Sequence, residues 1–123
     1  MSKRNIVHIE IPTKDGKTSG KFYADLFGWK IETDEKMDYT MWEPVEGPGG
    51  GFNPVTEEYP VGAIIIYVAS EDIETDLKKA EALGGKIATP KTEIPTIGWF
   101  GVFTDPTGNR IALYTSMNPE TNQ

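Results

Sequence analysis

The side chains best suited to chemistry lie near the start of the chain, in the segment Asn-Ile-Val-His-Ile-Glu-Ile-Pro at residues 5–12. This segment is rich in β-branched residues, which predicts a strand. Because side chains alternate along a strand, His8 and Glu10 share one face, opposite Val7, Ile9 and Ile11. An imidazole two residues from a carboxylate can form an acid–base pair or contribute to a metal site.

Three interpretations of this pair stay open. His8 can be a hydrogen-bonded pocket residue beside a rim or interface carboxylate, the two can bind a metal ion together, or they can act without a metal in a small-molecule pocket. The chain has one histidine and no cysteine. Disulfides, thiolate nucleophiles and thiolate metal sites are therefore excluded, and a serine triad would have to use His8.

A second set of candidate residues is aromatic, because aromatic side chains can line a cleft for planar or cationic ligands. The aromatic residues on predicted strands or at their ends are Tyr39, Trp42, Phe52, Tyr67, Trp99, Phe100, Phe103 and Tyr114. Pocket lining and core packing are equally favoured for Trp42, Phe52, Trp99 and Tyr114. Core packing is predicted for Phe22, Leu26, Phe27 and Phe103.

The first half of the chain predicts one helix and four strands. The helix is predicted over residues 20–27, with Thr18 or Ser19 as its N-cap and Gly28 at its C-terminal end. Strands are predicted to follow at residues 30–33, 39–44 and 51–55, with a glycine-rich turn over residues 47–51.

The second half repeats this order. A buried strand is predicted at residues 62–69, followed by a helix with Ser70 as its cap and an apolar stripe of Ile73, Leu77, Ala80 and Leu83. Further strands are predicted at residues 86–89, 98–104 and 110–116. The Asp-Pro-Thr-Gly segment at residues 105–108 is typical of a hairpin loop built on a type I turn.

An internal repeat supports this arrangement. The segment FYADLFGWKI at residues 22–31 aligns with KKAEALGGKI at residues 78–87, placing Gly28 on Gly84 and Lys30 on Lys86. The repeat predicts two βαβββ modules, at about residues 5–55 and 62–116, in a single α+β domain covering residues 1–123. Their mixed, curved sheets are expected to enclose a cleft between the modules, followed by a polar tail at residues 117–123.

The element order, the two helix segments and the terminal DPTGNRIALYT resemble the vicinal oxygen chelate superfamily, which includes glyoxalase I, bleomycin-resistance proteins and extradiol dioxygenases. The resemblance covers about residues 5–116 and is greatest to small bacterial glyoxalase-like proteins. It implies a small-molecule cleft and a homodimer. In metal-dependent members, four inner-strand positions, two in each module, bind one divalent ion.

The resemblance also allows these four metal positions to be compared with the chain. His8 matches the first. The second falls among the apolar residues 64–66, the third on Gly51 or Phe52, and the fourth on Ala112. His8 is then the one matching ligand, whereas a catalytic metal generally needs about three protein ligands. The expectation is an incomplete metal site and no cofactor, with a divalent metal as the alternative.

Two functions follow as hypotheses. The first is small-molecule binding or metal-independent activity. The alternative is a metal-dependent lyase, isomerase or dioxygenase-type enzyme, related to lactoylglutathione lyase and using His8 with non-standard ligands. The net charge of -7 argues against nucleic acid and anionic membranes as partners. The chain lacks an apolar stretch of membrane-spanning length and a signal-peptide pattern, so a cytoplasmic location is expected.

Overall fold

The computed structural model describes residues 4–44 and 46–117, and in these ranges the predicted order of two βαβββ modules is confirmed. The elements are β1 (Ile6–Glu10), α1 (Gly16–Phe27), β2 (Lys30–Asp34), β3 (Tyr39–Glu43), β4 (Gly49–Phe52), β5 (Ile65–Ala69), α2 (Ile73–Ala82), β6 (Lys86–Ile94), β7 (Gly98–Thr104) and β8 (Arg110–Ser116). The predicted polar tail lies outside the described residues beyond Met117.

The chain forms two compact units. The first unit comprises residues 8–65, and the second comprises residues 66–117 together with residues 4–7. In the first unit β2 pairs with β3 and β3 with β4 in antiparallel fashion, and β4 pairs with β1 in parallel. In the second unit β6, β7 and β8 are antiparallel, and β8 pairs with β5 in parallel. The two modules therefore share one strand order, as the sequence repeat predicts.

Helix α1 begins earlier than predicted, and its cap is Asp15. Asp15 has extended backbone angles, and its side chain accepts hydrogen bonds from the amides of Lys17 and Thr18. Ser19, one of the two predicted caps, instead hydrogen-bonds the Thr13 hydroxyl at 2.6 Å. The predicted end is confirmed, because Gly28 has a φ of 78°, a conformation that favours glycine at a helix C-terminus.

Helix α2 is capped by Asp72 instead of Ser70, because the Asp72 carboxylate accepts from the Thr75 amide at 3.1 Å. The Ser70 hydroxyl is buried beneath this turn and donates to Asp76 at 2.6 Å. Within α2, Ile73 and Leu77 are buried against Leu113, and Val68, Trp99 and Phe103 pack around this core. The observed N-cap therefore differs from the predicted one. The apolar stripe is buried where it was predicted, except that Leu83 at its end is exposed.

Several predicted strand boundaries were wrong, including the start of β5, which lies at Ile65 instead of residue 62. β4 begins at Gly49, so part of the glycine run assigned to a turn is a strand. A Cβ on Gly50 would overlap the Trp42 ring, so glycine serves here to admit a large neighbour. β6 runs from Lys86 to Ile94 through Pro90, with register irregularities around Thr89. It pairs through a named strand on one side only, where proline is tolerated.

The predicted core packing of Phe22, Leu26 and Phe27 was also wrong. These side chains are 58%, 59% and 58% exposed. Gly20 is the α1 residue that is buried, and a Cβ there would lie 2.9 Å from an Ile31 methyl group. Because the helix approaches the sheet through a glycine, its large apolar residues remain outside.

No helix among the described residues is both long and apolar enough to cross a membrane.

Candidate functional site

One face of the first unit carries three polar side chains joined by hydrogen bonds: His8 and Glu10 on β1, and Tyr39 at the start of β3. The Tyr39 hydroxyl lies 2.9 Å from His8 Nε2 and donates to Glu10 Oε2 at 2.7 Å. His8 Nε2 and Glu10 Oε2 are themselves 3.9 Å apart. The tyrosine hydroxyl therefore bridges the histidine and the carboxylate. We call these three residues the His8–Tyr39–Glu10 triad.

The hydrogen bonds of the triad determine which ring nitrogen of His8 carries a proton. An ionised carboxylate can only accept, so the single hydroxyl proton of Tyr39 lies toward Glu10. The Tyr39 oxygen must then accept a hydrogen bond from His8 Nε2. Neutral His8 is therefore the Nε2–H tautomer, which leaves the basic lone pair on Nδ1.

The triad is partly buried, and this changes the acidity of His8. The side chains of His8 and Glu10 are 31% and 17% exposed. Burial disfavours the charged imidazolium and lowers the pKa of His8 below its ordinary value of 6.5, while the Glu10 charge partly opposes this shift. His8 is thus neutral near pH 7 and able to accept a proton.

The metal ligands implied by the family resemblance do not fit this face. Gly51 pairs with Glu10 and lies on the triad side, whereas Phe52 stacks on Tyr23 of α1. Of the two positions that the resemblance offers for the first-module carboxylate, Gly51 is the one on the triad side. A Cβ there would overlap the Tyr39 hydroxyl and ring. Tyr39 occupies the space that a carboxylate at position 51 would need.

The corresponding positions of the second module also lack ligands. Ala112 is fully buried and pairs with Tyr67, and Ile65 is buried at the start of β5. Across residues 4–44 and 46–117, no group of three His, Asp or Glu side chains lies close enough together to hold a metal ion. The residues present therefore do not form the metal site that the resemblance would imply.

The structure places two of the four candidate pocket residues in the core of the first unit. Trp42 is 7% exposed and Phe52 is 2% exposed. Trp42 stacks on Trp29 with ring centroids 4.7 Å apart, and Phe52 stacks on Tyr23 at 5.7 Å. Both side chains lie on the α1 side of the sheet, opposite the triad. Of the two interpretations of these residues, core packing describes their surroundings.

The other two candidates lie in the second unit and face different sides. Trp99 packs around the core of Ile73, Leu77 and Leu113, with Lys91 Nζ 5.3 Å from its ring centroid. Tyr114 follows Leu113 on β8, so strand alternation turns it away from α2. Its hydroxyl lies 3.5 Å from the Ile97 carbonyl oxygen. Tyr114 stays a candidate pocket residue.

Tyr39 is the site residue that sequence reasoning missed. It belonged to the aromatic set, but its link to His8 depends on the pairing of β1 with β4 and of β4 with β3. The available signal was the glycine run at the start of β4, since glycine inside a strand often marks the close approach of another group. At Gly51 that group is the Tyr39 side chain.

Fold and site together define a small α+β protein built from two βαβββ modules, with a hydrogen-bonded acid–base group on one strand face. The chain belongs to the Glyoxalase/Bleomycin resistance protein/Dioxygenase superfamily, whose family model matches residues 5–113. The resemblance stated from the sequence is confirmed, as is the mixed α+β fold class.

The chain is also similar to curated proteins. The chain is 27% identical over 122 residues to the Mycobacterium tuberculosis protein named "Putative glyoxylase CFP32", a match covering 86% of this chain and 43% of that protein. It is 24% identical over 125 residues to the "Anthracycline biosynthesis protein DnrV" of Streptomyces peucetius, covering 85% of this chain and 44% of that protein. The chain thus spans about half the length of the curated relatives it matches.

Solved structures show the same fold. A variant of Streptomyces coelicolor methylmalonyl-CoA epimerase, in complex with 2-nitronate-propionyl-CoA, matches with a TM-score of 0.63 and 19% sequence identity. The match covers 92% of this chain and 94% of the epimerase chain. At this identity the similarity establishes the fold alone.

Proposed function

We propose that this protein binds a small organic molecule at the His8–Tyr39–Glu10 triad, and that the site works without a metal ion. The observation that carries the proposal is the Tyr39 hydroxyl between His8 and Glu10. It engages the two side chains that could ligate a metal, while its ring covers Gly51. The family's relatives with names drawn from small-molecule metabolism support a ligand of this class.

The chemistry available to the triad is proton transfer. Neutral His8, whose Nε2 is held by Tyr39, is the group of the triad able to take a proton from a bound molecule. The imidazolium formed in this way is stabilised by Glu10, which acts through the tyrosine hydroxyl. In many catalytic sites a hydrogen bond from a second group orients the base, and a carboxylate holds that second group in turn. The same arrangement can also hold a ligand without reacting.

The alternative is a metal-dependent lyase, isomerase or dioxygenase-type enzyme that uses His8 with non-standard ligands. The observation in its favour is that His8 and Glu10 share one face, with 3.9 Å between Nε2 and Oε2. For both to bind one ion, the Tyr39 hydroxyl would have to leave its position between them. The two functions therefore differ in what they require of Tyr39.

One experiment separates these functions. Protein prepared without a histidine tag is loaded with Zn²⁺, Ni²⁺ or Mn²⁺, desalted and measured for metal content, beside His8→Ala and Tyr39→Phe. We expect no stoichiometric ion that depends on His8. The ¹⁵N shifts of the single imidazole should also show the Nε2–H tautomer in the wild type. A tightly held ion that is lost in His8→Ala, or an Nδ1–H tautomer, would overturn the metal-free proposal.

A second copy of the chain is the proposed partner. The support is the apolar surface of α1, formed by Phe22, Leu26 and Phe27, each more than half exposed. The repeat aligns Phe22 with Lys78 and Leu26 with Ala82 of α2, so the surface is specific to α1. Contiguous apolar surface on a soluble protein commonly marks an interaction site. Self-association explains why this apolar surface is present on α1 and not at the aligned positions of α2.

A further inference from the structure

A cavity of about 380 Å³ lies in the second unit, and none of the triad residues lines it. Its walls come from α2 and the residues just after it, from β5, β7 and β8, from the hairpin loop after β7, and from Arg4. This volume is at the lower end of the roughly 300–1,000 Å³ that small-molecule pockets occupy. Neither the family's metal positions nor the triad is part of it.

The floor of the cavity is apolar. Leu113 is 5% exposed and belongs to the core beneath α2, and Val68 and Phe103 pack against that core. Ile111 and Ala80 complete the apolar lining. Such a surface favours a ligand with an apolar body, since removing apolar surface from water is favourable.

The charges around the cavity are unequally compensated. Asp76 forms two hydrogen bonds with Arg4, at 2.7 and 2.8 Å, which hold the pKa of Asp76 below its ordinary value. Asp105 accepts three backbone amide hydrogen bonds from its own turn, at 2.8 to 3.0 Å. Lys79 forms no hydrogen bond and no ion pair within 4.0 Å in the part of the chain that the structure describes, although its charge contributes to lowering the pKa of Asp76. One cation at the cavity is therefore available to a ligand.

We propose that this cavity binds a small amphipathic anion, whose apolar body lies on Val68, Phe103 and Leu113 and whose carboxylate or sulfonate group pairs with Lys79. The two carboxylates at the cavity are already engaged, by Arg4 and by backbone amides, so neither offers a cationic head group an equivalent partner. The site is independent of the triad, so its ligand need not be the ligand of the proposed function.

The probe for this site is anilinonaphthalene sulfonate, which carries an aromatic body and one anionic group and fluoresces when transferred from water to an apolar site. We expect saturable binding to the folded chain at one probe per cavity. Octanoate should displace the probe, and octylammonium, with the same chain and the opposite charge, should not. The His8→Ala variant should bind the probe like the wild type, which separates this site from the triad.

Two pairs of variants locate the binding. Lys79→Glu should weaken the probe's affinity by about fivefold or more, while Lys78→Glu, an equal change of charge on the neighbouring α2 residue, should change it by less than about twofold. Ala80→Leu should fill the cavity and remove most of the binding, while Ala82→Leu, at an exposed position of the same helix, should not. Unchanged thermal unfolding and near-ultraviolet circular dichroism establish that each variant is folded.

Three results would overturn the proposal: an absence of saturable binding to the folded wild type, equal displacement by octanoate and octylammonium, or equal effects of the two lysine variants. If Ala80→Leu does not fold, the lysine pair and the competition experiment still decide the outcome. Loss of probe binding in His8→Ala would assign the ligand to the triad and contradict an independent site.

Discussion

The hydroxyl group of Tyr39 determines how His8 and Glu10 behave, because one proton and one oxygen link both side chains. Without it, the two polar groups would be partly buried at 3.9 Å, too far apart for a direct hydrogen bond. A hydrogen bond to a charged group contributes about 1.5–3 kcal/mol to stability. Tyr39→Phe removes one oxygen atom and should therefore lower the stability substantially. The proposed site therefore consists of three residues instead of the two that the sequence pattern indicated.

His8 should lower the free energy of unfolding at acidic pH. Its pKa is lowered in the folded state by burial, so between that value and 6.5 the unfolded chain binds more protons. Protonation in this range favours unfolding. The contribution of His8 to the free energy of unfolding is complete above pH 6.5 and is lost as the pH falls toward the folded-state pKa.

Denaturant unfolding between about pH 5 and 7.5 measures this effect, with His8→Gln as the reference because glutamine can still donate to Tyr39. The stability difference between the wild type and His8→Gln should change in favour of the variant as the pH falls below 6.5. A proton NMR titration of the single imidazole gives the pKa directly. A pKa above 6.5, or a stability difference that does not vary with pH, would contradict the prediction.

Helix α2 stabilises the second unit through side chains buried along its length, whereas its C-cap residue is exposed. Leu77 is 3% exposed, whereas Leu83, near the end of the same predicted apolar stripe, is 71% exposed. Leu77→Ala should therefore lower the free energy of unfolding by about 2–5 kcal/mol. The same substitution at Leu83 should cost less than about 0.5 kcal/mol. Denaturant unfolding of the two variants checks this, and similar losses would show that the stripe is not divided in this way.

The elements differed in how far the sequence predicted them. The bounds of β7 and β8 match the prediction, because both strands are runs rich in apolar residues and an Asp-Pro-Thr-Gly loop separates them. Helix α1 was predicted with the wrong buried side, since hydrophobicity favours phenylalanine and leucine and gives no weight to Gly20. Contact made through a glycine leaves no hydrophobic pattern to detect.

The candidate site was predicted in part for a related reason. The shared face of His8 and Glu10 follows from strand alternation alone, and the structure bears it out. The contribution of Tyr39 and the core location of Trp42 depend on which face of the first sheet α1 covers. Trp42 and Tyr39 lie three residues apart on β3, on opposite faces. The sequence pattern shows that the two residues lie on opposite faces, but the position of α1 determines which of them is buried.

For the molecule as a whole, net charge and the apolar surface of α1 have opposite effects on self-association. Each chain carries a net charge of -7, so two chains repel each other at low salt. At physiological ionic strength, salt screens this repulsion at distances beyond about 8 Å, while apolar contact persists. The proposed homodimer should therefore be tighter at moderate salt than at low salt.

Sedimentation velocity over a range of protein and salt concentrations tests this prediction. Leu26→Lys should raise the dissociation constant of the dimer by about tenfold or more, because it places a charge in the apolar surface. Ala82→Lys, at the aligned position of α2, should leave it nearly unchanged. A monomer under all conditions, or an equal effect of both variants, would refute a dimer formed through α1.

The Tyr39 ring over Gly51 also restricts the order in which this chain could evolve toward a metal site. A carboxylate gained first at position 51 would overlap the tyrosine and disturb the unit before it could bind an ion. Loss of the tyrosine ring first would free His8 and Glu10 from their shared hydroxyl and open the space beside them. The two substitutions are therefore epistatic, and the accessible path begins at position 39.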